Sequence, residues 1–388
     1  MVVLRTSHRG CLKKTTVLSQ LDIQAIVVEA GVDRLMDELI VRLDEAFRSF
    51  DPQRTSVPVR DGFSYTSPRS GLLEWMPLFQ TGQHILMKMV GYHPQNPDLS
   101  SLPTILSDFS LYNATTGHLE AVVDGTLLTA FRTGAASAVA SRFLAKPDSR
   151  VVGLIGCGAQ AVTQLHALTR VFDVQRVCFF DTDFATMDSF ERRCRPFAGQ
   201  AEFEISSIEE ILEQSDVVSI ATTIDIGAGP VFDDVPTQKH LHINAVGSDF
   251  PNKFELPVSL LKRSFVTPDV RGQAEVEGEC QQLAPADVAE ELYQLMQRND
   301  SSPELEQGLT VFDSTGWVLE DYVATKLFLE HARRLGLGTE VWMGTQSTDP
   351  KSPYVFLAGN EGAAISPSLV GSAPSVAPVA TAKKGGLS

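Results

Sequence analysis

The chain has 388 residues, 43% hydrophobic and 21% charged, and a formal net charge of −16 at pH 7. That length exceeds one compact core and predicts two domains. The acidic balance excludes a general nucleic-acid or anionic-membrane binder, because those surfaces repel it, but leaves open a small-molecule site that meets only local charge.

No apolar run reaches the roughly 18 residues needed to cross a bilayer. Cys11, Cys157, Cys178, Cys194 and Cys280 form no CxxC pair and no metal-binding spacing, and their number is odd. Free thiols in a reducing, cytoplasmic compartment are expected. Residues 1–20 carry Arg5, Arg9, Lys13 and Lys14 without an acid. No apolar signal core follows, so a frayed basic extension is expected, with an organelle-targeting peptide as the alternative.

Residues 21–50 predict one amphipathic helix, with Ile26, Leu35, Leu39, Leu43 and Phe47 at helical spacing. Residues 83–90 alternate around Ile85, Met87 and Met89 as a strand, and 104–112 and 118–123 predict two more. Asn113, Thr115, Thr116 and Gly117 between the last two mark a hairpin turn. The first part of the chain is therefore α+β and rich in antiparallel strands.

The texture changes near residue 127. Residues 127–145 form an Ala-rich helix stopped at Lys146-Pro147-Asp148. Val151–Ile155 is a short apolar run suited to a buried parallel strand. A helix over 159–171, a strand Arg176–Phe180, a helix over 184–195 and a strand ending at Ile205 follow. A short helix then leads to strands over 216–221 and 242–246. Alternating strands and helices at this spacing predict a doubly wound parallel sheet. A final helix over 321–335 is expected to leave that sheet and pack on the first domain, ahead of a disordered tail rich in Ala, Pro, Ser and Gly.

The run Gly156-Cys157-Gly158-Ala159-Gln160-Ala161 stands directly after a strand and before a helix. Gly156 permits the tight turn, Gly158 lets backbone approach a pyrophosphate at the helix N-terminus, and Ala161 allows close packing. Asp181 ends the next strand, where a carboxylate accepts from a ribose 2′-hydroxyl and repels a 2′-phosphate. NAD rather than NADP is expected.

Asp249 follows the strand over 242–246, outside its carboxyl end, where it is placed either to move protons beside a nicotinamide or to cap the next turn. Lys88 interrupts an apolar strand and is either solvent-facing or functional; Arg132 interrupts an Ala-rich helix and calls for a partner. His240 and His242 share a strand face, but zinc needs three or four ligands and no third is evident, so no metal is expected.

Seven ordered segments then carry a resemblance. They are Glu74-Trp75-Met76-Pro77, the run from Lys88 to Pro94, the run from Thr129 to Ala135, the run from Leu154 to Gln160, the run around Asp249, the run from Glu277 to Gln282, and the run from Val311 to Gly316. Over residues 17–335 the chain resembles the ornithine cyclodeaminase/μ-crystallin family. The resemblance implies a Rossmann-type doubly wound parallel sheet inserted in an α+β substrate and dimerisation domain. Residues 1–130 plus 318–358 would form the outer domain, 131–317 the NAD-binding domain and 359–388 the tail. It also implies a homodimer.

Family roles carried to matching positions make Arg60, Lys88 and Arg132 ligands of the substrate α-carboxylate. Glu74 would lie by the substrate amines, Asp249 would be the acid/base, and Lys253 would contact substrate. Thr133, Thr222, Val246 and Ser314, with the run Gly156 to Gln160, would contact the cofactor. The implied reaction is redox-neutral: NAD⁺ takes a hydride from Cα, the side-chain amine closes the ring, ammonia leaves, and the hydride returns. Lysine would give pipecolate, and ornithine proline. Trp75, residues 136–144, residues 161–167 and Gln281-Gln282 are more similar to lysine cyclodeaminases; the run from Asp249 to Lys253 is closer to the ornithine type. Phe250 and Trp317 depart from the patterns expected of the family. A ketimine reductase or amino acid dehydrogenase of the same fold, and a non-catalytic μ-crystallin-like binding protein, are the alternatives.

Overall fold

The computed structural model describes residues 13–298, 305, 308–344, 351–352 and 354. Cys11 and the tail expected over 359–388 lie outside the described residues. The first seven strands are β1 (Thr15–Leu18), β2 (Thr55–Ser56), β3 (Asp61–Tyr65), β4 (Gly71–Gln80), β5 (His84–Tyr92), β6 (Ile105–Asn113) and β7 (Leu119–Asp124). Then come β8 (Val151–Ile155), β9 (Arg176–Phe180), β10 (Glu202–Ile205), β11 (Val217–Ile220), β12 (His242–Ala245), β13 (Phe265–Pro268), β14 (Thr310–Asp313) and β15 (Thr339–Val341).

The first sheet has the order β15-β1-β7-β6-β5-β4-β2, with β3 also on β4; β2 to β7 pair antiparallel, as the hairpin signals predict. The second is wholly parallel, in the order β10-β9-β8-β11-β12-β14-β13. It lies in the chain between β7 and β15, so the parallel sheet is inserted in the mixed one, as expected. Strand order reverses between β8 and β11. In such sheets the ligand crevice opens at that point, outside the strand carboxyl ends.

Three local expectations are corrected. The segment over 21–50 is two helices, Gln20–Ala30 and Val32–Arg48. Gly31 lies between them at φ +86°, a region open to glycine, and lets each helix bury its own apolar face. The segment over 184–195 is likewise two short helices, Phe184–Asp188 and Phe190–Cys194. The described end of the supposed frayed extension is ordered: β1 pairs with β7 and β15, and Ser19 with Asp22 forms a capping box.

The helix Thr126–Leu144 carries the chain from the first sheet to the second and is buried along most of its length. A Cβ at Gly134 would lie 2.4 Å from Thr163 O, so the close approach of this helix to Ala159–Val171 requires glycine there. The helix Val318–Leu335 brings the chain back, beginning three residues earlier than expected and burying Glu320 and Asp321 completely. Trp317 belongs to an aromatic cluster with Phe47, Phe50 and Tyr293, at centroid distances of 5.5, 4.6 and 5.8 Å, so it is a core residue. Among the described residues no helix is long and apolar enough to cross a membrane, and Cys157, Cys178, Cys194 and Cys280 are free.

Candidate active site

One pocket lies where the two sheets meet the ends of the connecting helices. Arg60, Glu74, Lys88, Arg132 and Asp249 all line it. So do Thr133, Gln160, Val246 and Ser314.

Lys88 sits at the inward phase of β5 and is 1% exposed, which rejects the solvent-facing alternative. Its Nζ donates to Asp321 Oδ1 at 2.9 Å. Arg132 donates from Nε to the same oxygen at 3.0 Å and from Nη1 to Glu320 Oε2 at 2.6 Å. A Cβ on Gly316 would stand 2.8 Å from the Arg132 guanidinium, so glycine, at φ +94°, lets the backbone lie against it. Burial, opposed by Asp321, pushes Lys88 down to about 8. Burial, opposed by Arg132, pushes Glu320 up to about 8. Burial disfavours a full charge on Glu320, so it offsets the two cations less than an exposed carboxylate would and the positive charge of Arg132 and Lys88 stands out. Desolvated, that charge favours an anion strongly.

Arg60 extends this cationic wall. Its Nη1 lies 3.5 Å from Glu74 Oε2 and its Nε 2.7 Å from Glu277 Oε1, and Nη2 donates to Thr315 O. Burial raises the Glu74 carboxyl, with Arg60 opposing and Asp249 adding to the rise. Burial pushes Glu277 up to about 7, again against Arg60.

Asp249 follows β12 and accepts from Lys253 Nζ at 2.7 Å, which answers the turn-cap alternative: its partner is a side chain, not a backbone N–H. Burial works against the Lys253 ammonium, but Asp249 outweighs it and holds Lys253 above its ordinary value. Ser248 Oγ donates to Lys253 O, and Gln281 Oε1 accepts from Asn252 N at 2.7 Å, so the segment presenting Asp249 is tied down.

The remaining positions expected to contact a cofactor lie at the turn after β8 and the ends of the neighbouring strands. Gly156 has φ +88°, and a Cβ there would lie 2.5 Å from Ala221 O; only glycine fits. Asp181 Oδ2 accepts from Cys157 N at 2.7 Å and Oδ1 from Asp183 N at 2.8 Å, leaving lone pairs on both oxygens. Asp183 caps its own helix. The helix Ala159–Val171 begins at Gly158 without a side-chain cap, and a Cβ at Gly158 would meet nothing within 4 Å. Thr222 Oγ1 is buried without a hydrogen-bond partner, while its N–H donates to Glu255 Oε1 at 2.6 Å. Open space, free helix N–H groups and an orphaned hydroxyl fit a dinucleotide.

His242 is fully buried, bonds Thr310 Oγ1 at 2.9 Å and Asn244 Oδ1 at 3.2 Å, and is pushed by burial down to about 4. These are packing bonds. Among the described residues no group of three His, Cys, Asp or Glu could hold a metal.

Residue types alone did not reveal Glu320, Asp321 or Glu277. Two acids in the first turn of Val318–Leu335 read as ordinary helix-dipole partners. The one available signal was that Lys88 and Arg132 lacked partners nearby in sequence.

A Rossmann-type crevice beside a pocket lined by Arg60, Lys88 and Arg132 defines a dinucleotide-dependent enzyme of the α/β class. The chain belongs to the ornithine cyclodeaminase/mu-crystallin family, whose model matches residues 22–335. It is 37% identical over 347 residues to the L-lysine cyclodeaminase of Streptomyces rapamycinicus, covering 88% of this chain and 99% of that one. A solved lysine cyclodeaminase, described with L-lysine, L-ornithine and L-2,4-diaminobutyric acid recognition, is 45% identical with a TM-score of 0.84, covering 88% and 99%. An archaeal alanine dehydrogenase dimer with bound NAD is 30% identical with a TM-score of 0.75, covering 84% and 99%.

Proposed function

We propose that the chain is an NAD-dependent cyclodeaminase converting a basic L-amino acid, lysine to pipecolate or ornithine to proline, with release of ammonia. One observation carries the reading: a single pocket sets the cationic wall of Arg60, Lys88 and Arg132 against the carboxylates of Glu74 and Asp249. The wall suits an α-carboxylate. The carboxylates suit two amines, and their negative charge selects a cationic side chain over an apolar one.

When bound, NAD supplies a hydride acceptor and donor for the substrate Cα. Gly156, Gly158, Ala159, Gln160 and Asp181 would hold its adenosine diphosphate part, and Thr133, Thr222, Val246 and Ser314 its nicotinamide end. The chain's own residues do the rest. Arg60, Lys88 and Arg132 orient the carboxylate. Asp249 accepts a proton from the side-chain ammonium, since only the neutral amine is nucleophilic. Lys253, behind the pocket lining, orients Asp249 through the 2.7 Å bond from its Nζ and so would act on substrate through that carboxylate. Glu74, with its raised carboxyl, holds the second amine. Confinement brings amine and carbon into reach.

The outer segments, 1–130 and 318–358, serve substrate and dimer formation; 131–317 serves the cofactor. Support for a homodimer comes from an apolar sheet face, where Phe63, Leu73, Phe79 and Ile85 are 66%, 38%, 40% and 36% exposed. Sedimentation of the wild type as a dimer, and of Phe79→Asp as a monomer, tests this. Free cysteines support a cytoplasmic setting.

Purified protein with NAD⁺ is offered lysine, ornithine and arginine separately, with products identified by mass spectrometry and absorbance followed at 340 nm. Cyclodeamination gives the cyclic imino acid and a flat trace. A rising trace would replace it with an amino acid dehydrogenase, and no product at all with a binding protein.

A further inference from the structure

The glycine turn is gripped from outside by a residue with no role so far. Arg193, in the helix Phe190–Cys194, donates from Nη2 to Cys157 O at 2.7 Å and to Thr186 O at 2.9 Å. Its Nε donates to Ser189 Oγ at 3.2 Å, and its guanidinium lies 5.5 Å from the Phe190 ring centroid. The other side of the same residue is held too, since Cys157 N donates to Asp181 Oδ2 at 2.7 Å. Gly156 N meanwhile donates to Phe180 O at 2.9 Å. The turn between the two motif glycines is thus tied at successive backbone groups to the end of β9 and the helices after it.

The Cys157 carbonyl belongs to the same planar peptide as the Gly158 N–H. In a trans peptide these two groups point in opposite directions. Anchoring the carbonyl on Arg193 therefore turns the Gly158 N–H away from Arg193, at the start of the uncapped helix Ala159–Val171. That is where an anion meets backbone N–H groups in this kind of crevice. Its Nε and Nη2 are committed to protein acceptors, so through these nitrogens its effect on a ligand runs through the backbone it holds.

We propose that Arg193 is a positioning residue for the cofactor: it fixes the aim of the Gly158 N–H and so sets affinity for the diphosphate of the dinucleotide. The proposal rests on the NAD reading above. The carbonyl bond is charge-assisted, and a free peptide would have to be ordered on binding.

The test compares wild type, Arg193→Ala and Arg193→Lys for binding of NAD⁺, ADP and adenosine. Arg193→Ala should weaken NAD⁺ and ADP about ten-fold. Adenosine, which has no diphosphate, should bind as in wild type, and kcat at saturating NAD⁺ should be unchanged. Arg193→Lys, which keeps the charge on a single donor nitrogen, should fall between, and added guanidinium ion should restore ADP affinity to Arg193→Ala. Equal ADP affinity in wild type and Arg193→Ala would overturn the proposal. So would an equal loss for adenosine and ADP, which would mark a merely structural anchor. Wild type that bound neither NAD⁺ nor ADP would instead defeat the cofactor reading beneath it.

Discussion

Replacing Arg132 by Ala removes a guanidinium that bonds Glu320 at 2.6 Å and Asp321 at 3.0 Å inside the protein. Stranding one side of a buried pair typically costs about 3–5 kcal/mol. Two features hold this case to the lower end. Glu320, pushed up to about 8, sheds its charge by keeping a proton, and Asp321 retains the Lys88 ammonium at 2.9 Å. A stability loss of about 3 kcal/mol in urea denaturation is expected. If Arg132 also grips the substrate carboxylate, kcat/KM should fall about 10²-fold or more, from the loss of charge-assisted bonds. The double variant Arg132→Met with Glu320→Met separates the two effects. Apolar replacement of a buried pair is often neutral, so stability should recover most of the loss. Activity should not. If the double variant regained more than about a third of wild-type kcat/KM, Arg132 would be only the internal partner of the helix Val318–Leu335.

Glu320 and Glu277 are raised from 4.5 to about 8 and about 7, so the folded protein keeps protons that the unfolded chain releases. Their contribution to stability is full below the unfolded value, falls as pH rises from there, and is wholly lost once pH has passed through 7 to 8; Glu320→Gln should flatten that decline, and an unchanged slope would refute it. Asp181→Ser should narrow the preference for NAD⁺ over NADP⁺ in fluorescence titrations; equal affinity of the wild type for both would reject the ribose role. Asp249→Asn should bind NAD⁺ nearly normally but cyclise at least about 10²-fold more slowly. Retention of more than about a tenth of the rate would make Asp249 a bystander and Glu74 the better base.

What could be read from the sequence is local. The bounds of β8, β9 and the helix Ala159–Val171 follow from short apolar runs, a glycine turn and helical spacing, all within a few residues of one another. Gly31 within a continuous apolar period gives too weak a signal to split a helix, because glycine is tolerated there until tertiary packing turns the chain. β1 and β15 are invisible alone: four and three residues become strands only by pairing with each other and with β7. At the site, Lys88 and Arg132 stand out as charges in apolar elements, yet their partner Asp321 lies 233 and 189 residues away. No periodicity carries that distance. Arg193 hides for the same reason: in FERRC it reads as a surface helix cation.

The most direct test of the account follows two labels through one turnover. Lysine carrying ¹⁵N at the α-amine and deuterium at Cα is incubated with the protein and catalytic NAD⁺. Redox-neutral cyclodeamination predicts pipecolate that has lost the ¹⁵N to ammonia and kept the deuterium, with no build-up of reduced cofactor. Deuterium accumulating in the reduced cofactor, or ¹⁵N retained in the ring, would contradict it.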